Sequence, residues 1–385
     1  MLLLPCLLLS LSSLCGGQGD GKGTLLWQGA THVLDQNALE LPEGIGPDAA
    51  GSIRKWLPRV AAADLELALT EDQGFLVGVE KDAGEAIETV QRASTGIRQL
   101  LPPRDRSSTS SGRIRIEHPD GSWEEYWDNT LEELGRGTGV LLEVREGDAY
   151  ASILQALVED NPDLGEWSRI AGQQYGFMIP RPLSAAWIAG GRLNEEWKAE
   201  SELVHRTVAL YLSREYGEVP FWLQLGICWH LETELCGGVW CYPYRDGFVW
   251  AVEHTDWSRA LRNRMKRRRS EPFRLDEVTN LSRRVLVTTE ADRPYQDSYL
   301  LAWGVARSLA SNPTWSTRIS DLLEAFRLHK IREGRRYLDD GRWELIAGYT
   351  IPASEQASIM TDLFGDDFWD ALHESLEKGA PTRRE

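Results

Sequence analysis

Ser201 to Glu234, SELVHRTVALYLSREYGEVPFWLQLGICWHLETE, constrains this chain more than any other stretch. Apolar residues recur at helical spacing on both sides of Gly217-Glu218-Val219-Pro220, so the stretch reads as two consecutive helices joined by a turn. Leu203, Val204, Thr207, Val208, Tyr211 and Leu212 spread around the first helix instead of lining one stripe, which marks a helix buried on most of its faces. Such a pair cannot stand alone in water. Other layers must cover it, and the rest of the chain is read for what supplies them.

The chain has 385 residues, enough for two or three domains of about 150 residues each and for a sizeable core. A formal charge of -17 and a pI near 5.0 argue against a general nucleic-acid binder, whose backbone contacts need a positive surface. The apolar run Leu2 to Leu14 is too short to span a bilayer and fits the core of a secretory signal over residues 1–17, with cleavage near Gly17. Cys15 offers lipidation as an alternative, although Leu14 is large for the position before a lipidated cysteine. No other stretch has the length of a transmembrane helix. Export would permit a disulfide; beyond the signal stand Cys228, Cys236 and Cys241, and the Gly237-Gly238 turn between the last two would bring them close. Three buried, reduced cysteines are the alternative.

Leu65, Leu67 and Leu69 alternate with polar residues before Asp72-Gln73-Gly74, and Phe75 to Val79 follows: a half-buried β-hairpin on one sheet face. Ala83, Ala86, Ile87, Val90, Ala93, Ile97, Leu100 and Leu101 recur at helical spacing until Pro102-Pro103, and Arg104 to Gly112 reads as an exposed linker. A second hairpin is expected over Arg113–Glu117 and Ser122–Trp127. Gly139–Val144 reads as a strand, and an amphipathic helix begins at Asp148. Gly237 to Trp250 is rich in glycine and aromatics. Helices are expected over Thr255–Arg269, Arg274–Asn280, Tyr295–Ala310, Asn312–Lys330 and Asp366–Lys378. The domain reading is therefore a signal at 1–17, an N-terminal α/β region at 24–110, an α/β core at 111–254, a helical lobe at 255–378 and a disordered tail at 379–385. The fold class is α+β: a mixed β-sheet layer packed on the buried helix pair, with a mainly helical C-terminal lobe.

A single His in an apolar helix, a turn, then Pro220-Phe-Trp-Leu-x-x-Gly226 and a second helix resembles the zinc-binding helix pair of the gluzincin-like superfamily, the HExxH metallopeptidases of MA type. The resemblance covers about Gly139 to Glu234 and, loosely, the helical remainder. It implies a zincin-like frame in which a mixed sheet packs on the pair and a helical lobe closes a cleft. Two His at i and i+4 would hold zinc, the Glu after the first would act as general base, and a Glu from the second helix would complete the site. Here the first ligand position is His205, but the base position is Arg206 and the second His position is Ala209. The position three residues after Gly226 is Trp229, with His230 and Glu232 nearby. A guanidinium cannot accept a proton, and an alanine has no donor atom. The resemblance thus implies peptidase architecture without the peptidase mechanism, and no cofactor.

Three readings of the site follow. It is a retained scaffold in which His205 is a hydrogen-bonded core histidine; or a rebuilt metal or hydrolytic site in which zinc is held by displaced ligands from Glu202, His205, His230 and Glu232; or an aromatic cleft using Trp222, Trp229, Trp240 and Tyr242 to bind a peptide, glycan or protein partner. The sequence has 16 Trp, and large aromatics also simply fill cores. Arg262 to Arg269, RNRMKRRR, reads as the solvated last turn of a helix or as a patch for an anionic membrane surface. His373-Glu374, in the final helix, looks like a chance partial match to the zinc motif.

Overall fold

The computed structural model describes residues 22–102, 113–117, 123–127, 137–174, 176–180, 182–189, 198–241, 256–267, 272–279, 281, 292–337, 343–346 and 349–380. The signal segment with Cys15, the 104–112 linker, Tyr242 with the aromatics to Trp250, Arg268, Arg269 and residues 381–385 lie outside them.

A seven-stranded mixed sheet is the organising layer. Its strands are β1 (Lys22–Trp27), β2 (Ala30–Asp35), β3 (Glu66–Leu69), β4 (Phe75–Val79), β7 (Gly139–Val144), β8 (Gly176–Pro180) and β9 (Leu183–Ile188), in the order β2-β1-β3-β4-β7-β9-β8. β5 (Arg113–Glu117) and β6 (Trp123–Trp127) form a separate antiparallel hairpin, as the sequence predicts. The hairpin at Asp72-Gln73-Gly74 also forms, with β3 and β4 antiparallel. It differs from expectation in one respect: β4 is buried at every position, not on one face only. The reason is that helices cover both sides of the sheet, the arrangement in which central strands lose their alternation.

On one face lie α1 (Pro47–Ala62), α3 (Gly147–Asp160) and the short α4 (Gly165–Ala171), packed on Leu25, Leu67, Leu76, Val140 and Leu142. The other face, with Ala68, Val77, Leu141 and Ala185, carries α2 (Ala83–Leu100) and α5 (Ala199–Tyr216). The boundary drawn at 110 on sequence therefore runs through one sheet, since β4 pairs in parallel with β7. β7 needs a parallel neighbour on each side, and those strands come from both halves of that division.

The second helix of the pair is α6 (Phe221–Cys236), which runs between α5 and the C-terminal lobe. That lobe comprises α7 (Trp257–Arg267), α8 (Asp276–Thr279), α9 (Asp292–Ser311), α10 (Pro313–Ser316), α11 (Ile319–Glu333), α12 (Ala353–Phe364) and α13 (Phe368–Glu377), with a small hairpin of β10 (Arg335–Tyr337) and β11 (Trp343–Leu345). The helix expected over 312–330 is broken in two at Thr317-Arg318, after Asn312 caps α10 by accepting from the N–H groups of Thr314 and Trp315. α6 and α9 approach closely at Gly226, where a Cβ would fall 2.8 Å from the Cβ of Ala306. This explains the glycine in the Pro-Phe-Trp-Leu-x-x-Gly stretch by helix packing, independent of any ligand. At the C-terminus, Gly379 and Ala380 are ordered, contrary to expectation: Ala380 is buried and its carbonyl accepts from Arg307 Nε at 3.0 Å.

Candidate functional site

α5 and α6 cross with their polar side chains facing each other inside the protein. Glu202, His205 and Arg206 on α5 and Glu232 on α6 are 0, 3, 2 and 0 % exposed. Charged groups at that depth must be paired or neutral. Arg206 and Glu202 are paired: Nε donates to Glu202 Oε2 at 3.2 Å, an i, i+4 contact on one helical face. The same Glu202 oxygen accepts from Cys241 Sγ at 2.9 Å. On the far side, the guanidinium reaches β8, where a Cβ on Gly176 would lie 3.1 Å from Nη2; the glycine leaves room for it.

Glu232 is held by the chain that returns from α6. Gly237 ends that helix in the left-handed conformation at φ 74°, and Val239 to Cys241 fold back over it. Oε1 of Glu232 accepts from the backbone N–H of Cys241 at 2.8 Å and from that of Trp240. Oε2 faces His205 Nδ1 at 3.4 Å. Burial pushes the Glu232 carboxyl well above its usual range; the two N–H bonds oppose this and Glu202 adds to it. Burial drives His205 down to about 3, helped by Arg206 and opposed by Glu202. Burial thus disfavours the charged form of both partners, and neither His205 Nδ1 nor Glu232 Oε2 makes a hydrogen bond among the described residues.

Trp229 lies beside His205, with ring centroids 6.2 Å apart, and donates from Nε1 to the Cys241 carbonyl at 2.7 Å. It continues into the lobe through Trp257 at 5.5 Å and Tyr299 at 5.4 Å, and Trp257 meets Trp303 at 5.8 Å. Aromatic pairs at these separations are packing contacts. Trp222 and Trp229 are 1 and 0 % exposed, so these two candidates for an aromatic cleft are core side chains. Trp222 is fixed by its Nε1 bond to Gln356 at 2.8 Å. Trp240 is partly exposed, with Lys198 Nζ 4.2 Å above its ring.

The structure therefore brings Glu202, His205 and Glu232 together and leaves His230 out. His230 is buried beside Arg307, and burial and that cation push it down to about 3. Ala209 contributes only its carbonyl, which accepts from Gln224 Nε2 at 3.4 Å. Cys241 is a member of the cluster that the sequence marks only as a disulfide partner or a buried thiol; Cys228, Cys236 and Cys241 are free thiols, the first and last of them buried. Among the described residues no group of three His, Cys, Asp or Glu side chains has the arrangement of a metal site. Elsewhere, Arg264 in the basic run is buried against Glu277 and so takes no part in a surface patch. His373 lies in α13 and accepts at Nδ1 from the Phe273 N–H at 3.2 Å. No described helix is long and apolar enough to cross a membrane.

Comparison of the chain with protein-family models gives no match, and comparison with curated proteins gives none.

Proposed function

We propose that the chain is an exported, gluzincin-like protein without peptidase catalysis, a pseudopeptidase that serves as a binding or scaffold module for a peptide, glycan or protein partner. One observation carries this reading: Arg206, in the position of the general base, is buried in an ion pair with Glu202 at the centre of the helix crossing. A general base must accept a proton from water, and a guanidinium remains protonated. The residues around His205 also suit zinc poorly. A catalytic zinc needs three donors and an open coordination position. Glu232 Oε1 already accepts two N–H groups, Glu202 Oε2 accepts from Arg206 and Cys241, and Ala209 offers no side-chain donor, so among the described residues His205 Nδ1 and Glu232 Oε2 are the facing donor atoms left without a hydrogen bond. A fixed cation within the cluster would further oppose a divalent ion.

The convergence of His205 and Glu232 at 3.4 Å favours a second reading, a zinc-dependent hydrolase with displaced ligands. Incubation of the full chain with a mixed-sequence peptide library, with and without added zinc, tests the choice. The pseudopeptidase reading expects no cleavage above background in either case. Cleavage that zinc enhances and His205→Ala abolishes would establish the second reading instead.

A further inference from the structure

We draw no further inference here: the strongest candidate, the recess where the N-terminus of α1 meets Arg98 and Arg214, carries none, because Arg98 is already engaged by Asp72 and Arg214 by Glu215 and the Gly74 carbonyl, and a helix N-terminus beside engaged cations does not select a ligand.

Discussion

Arg206→Met leaves Glu202 0 % exposed and without the cation that Arg206 Nε supplies at 3.2 Å. Removing one partner of a buried ion pair costs about 3–5 kcal/mol, because the remaining charge keeps its desolvation penalty and loses its compensation. Cys241 Sγ still donates to Glu202 at 2.9 Å, but a thiol is a weak donor and offsets only a small part. Glu202→Gln strands the guanidinium in the same way, and a loss of similar size is expected. The double variant Glu202→Gln, Arg206→Met removes both charges together and should lose much less than the sum, since apolar replacement of a whole buried pair is often close to neutral. Urea unfolding of the four proteins measures the coupling directly, and an interaction term above about 2 kcal/mol is expected for groups in contact. Single losses below about 1 kcal/mol that add in the double variant would refute the reasoning. They would mean that water reaches the pair and that the helix crossing is an open site.

Acid titration gives an independent check. His205 and His230, both pushed down to about 3, take up protons on unfolding between that value and about 6.5. Each therefore contributes stability that is lost as the pH falls through this window. Glu232, raised well above its ordinary value, binds its proton in the folded state and releases it on unfolding above about 4.3, so its contribution declines as the pH rises. Glu232→Gln should consequently steepen the acid loss of stability above about pH 4.3, as measured by melting temperature against pH; an unchanged slope would contradict the upward shift of Glu232. Gly226→Ala would force a Cβ to within 2.8 Å of Ala306 Cβ, and a loss of about 1–3 kcal/mol in urea unfolding is expected. A neutral result there would remove helix packing as the reason for that glycine.

Much of the fold was legible because it rests on local periodicity and turn chemistry. Asp72-Gln73-Gly74 between two apolar runs predicts the β3–β4 hairpin, and the all-round apolar character of 203–212 predicts a helix buried between layers. Elements whose signals are short or mixed were not read. Leu183–Ile188 is a brief apolar run that becomes strand β9 only because β7 and β8 flank it, and α1 has Pro58 within it. The site was legible in part. The substitutions at 206 and 209 are visible in the sequence, and Glu202 with His205 at i, i+3 implies a shared face. That His205 meets Glu232 and not His230 depends on how α5 and α6 are rotated against each other, which one helix's spacing does not encode. The role of Cys241 depends on the return of the chain after Gly237, a feature of loop conformation that periodicity does not capture.

The central claim is that a buried Glu202–Arg206 pair and the contact of His205 with Glu232 close the place where, on the proposed reading, a metallopeptidase would hold its metal. Metal analysis of the purified full chain, after dialysis against buffer containing micromolar zinc, tests it most directly. The account predicts zinc far below one equivalent, with no change on His205→Ala. About one zinc per chain, lost on His205→Ala, would contradict it, since a metal held by that imidazole requires the open, donor-rich arrangement that Arg206 opposes.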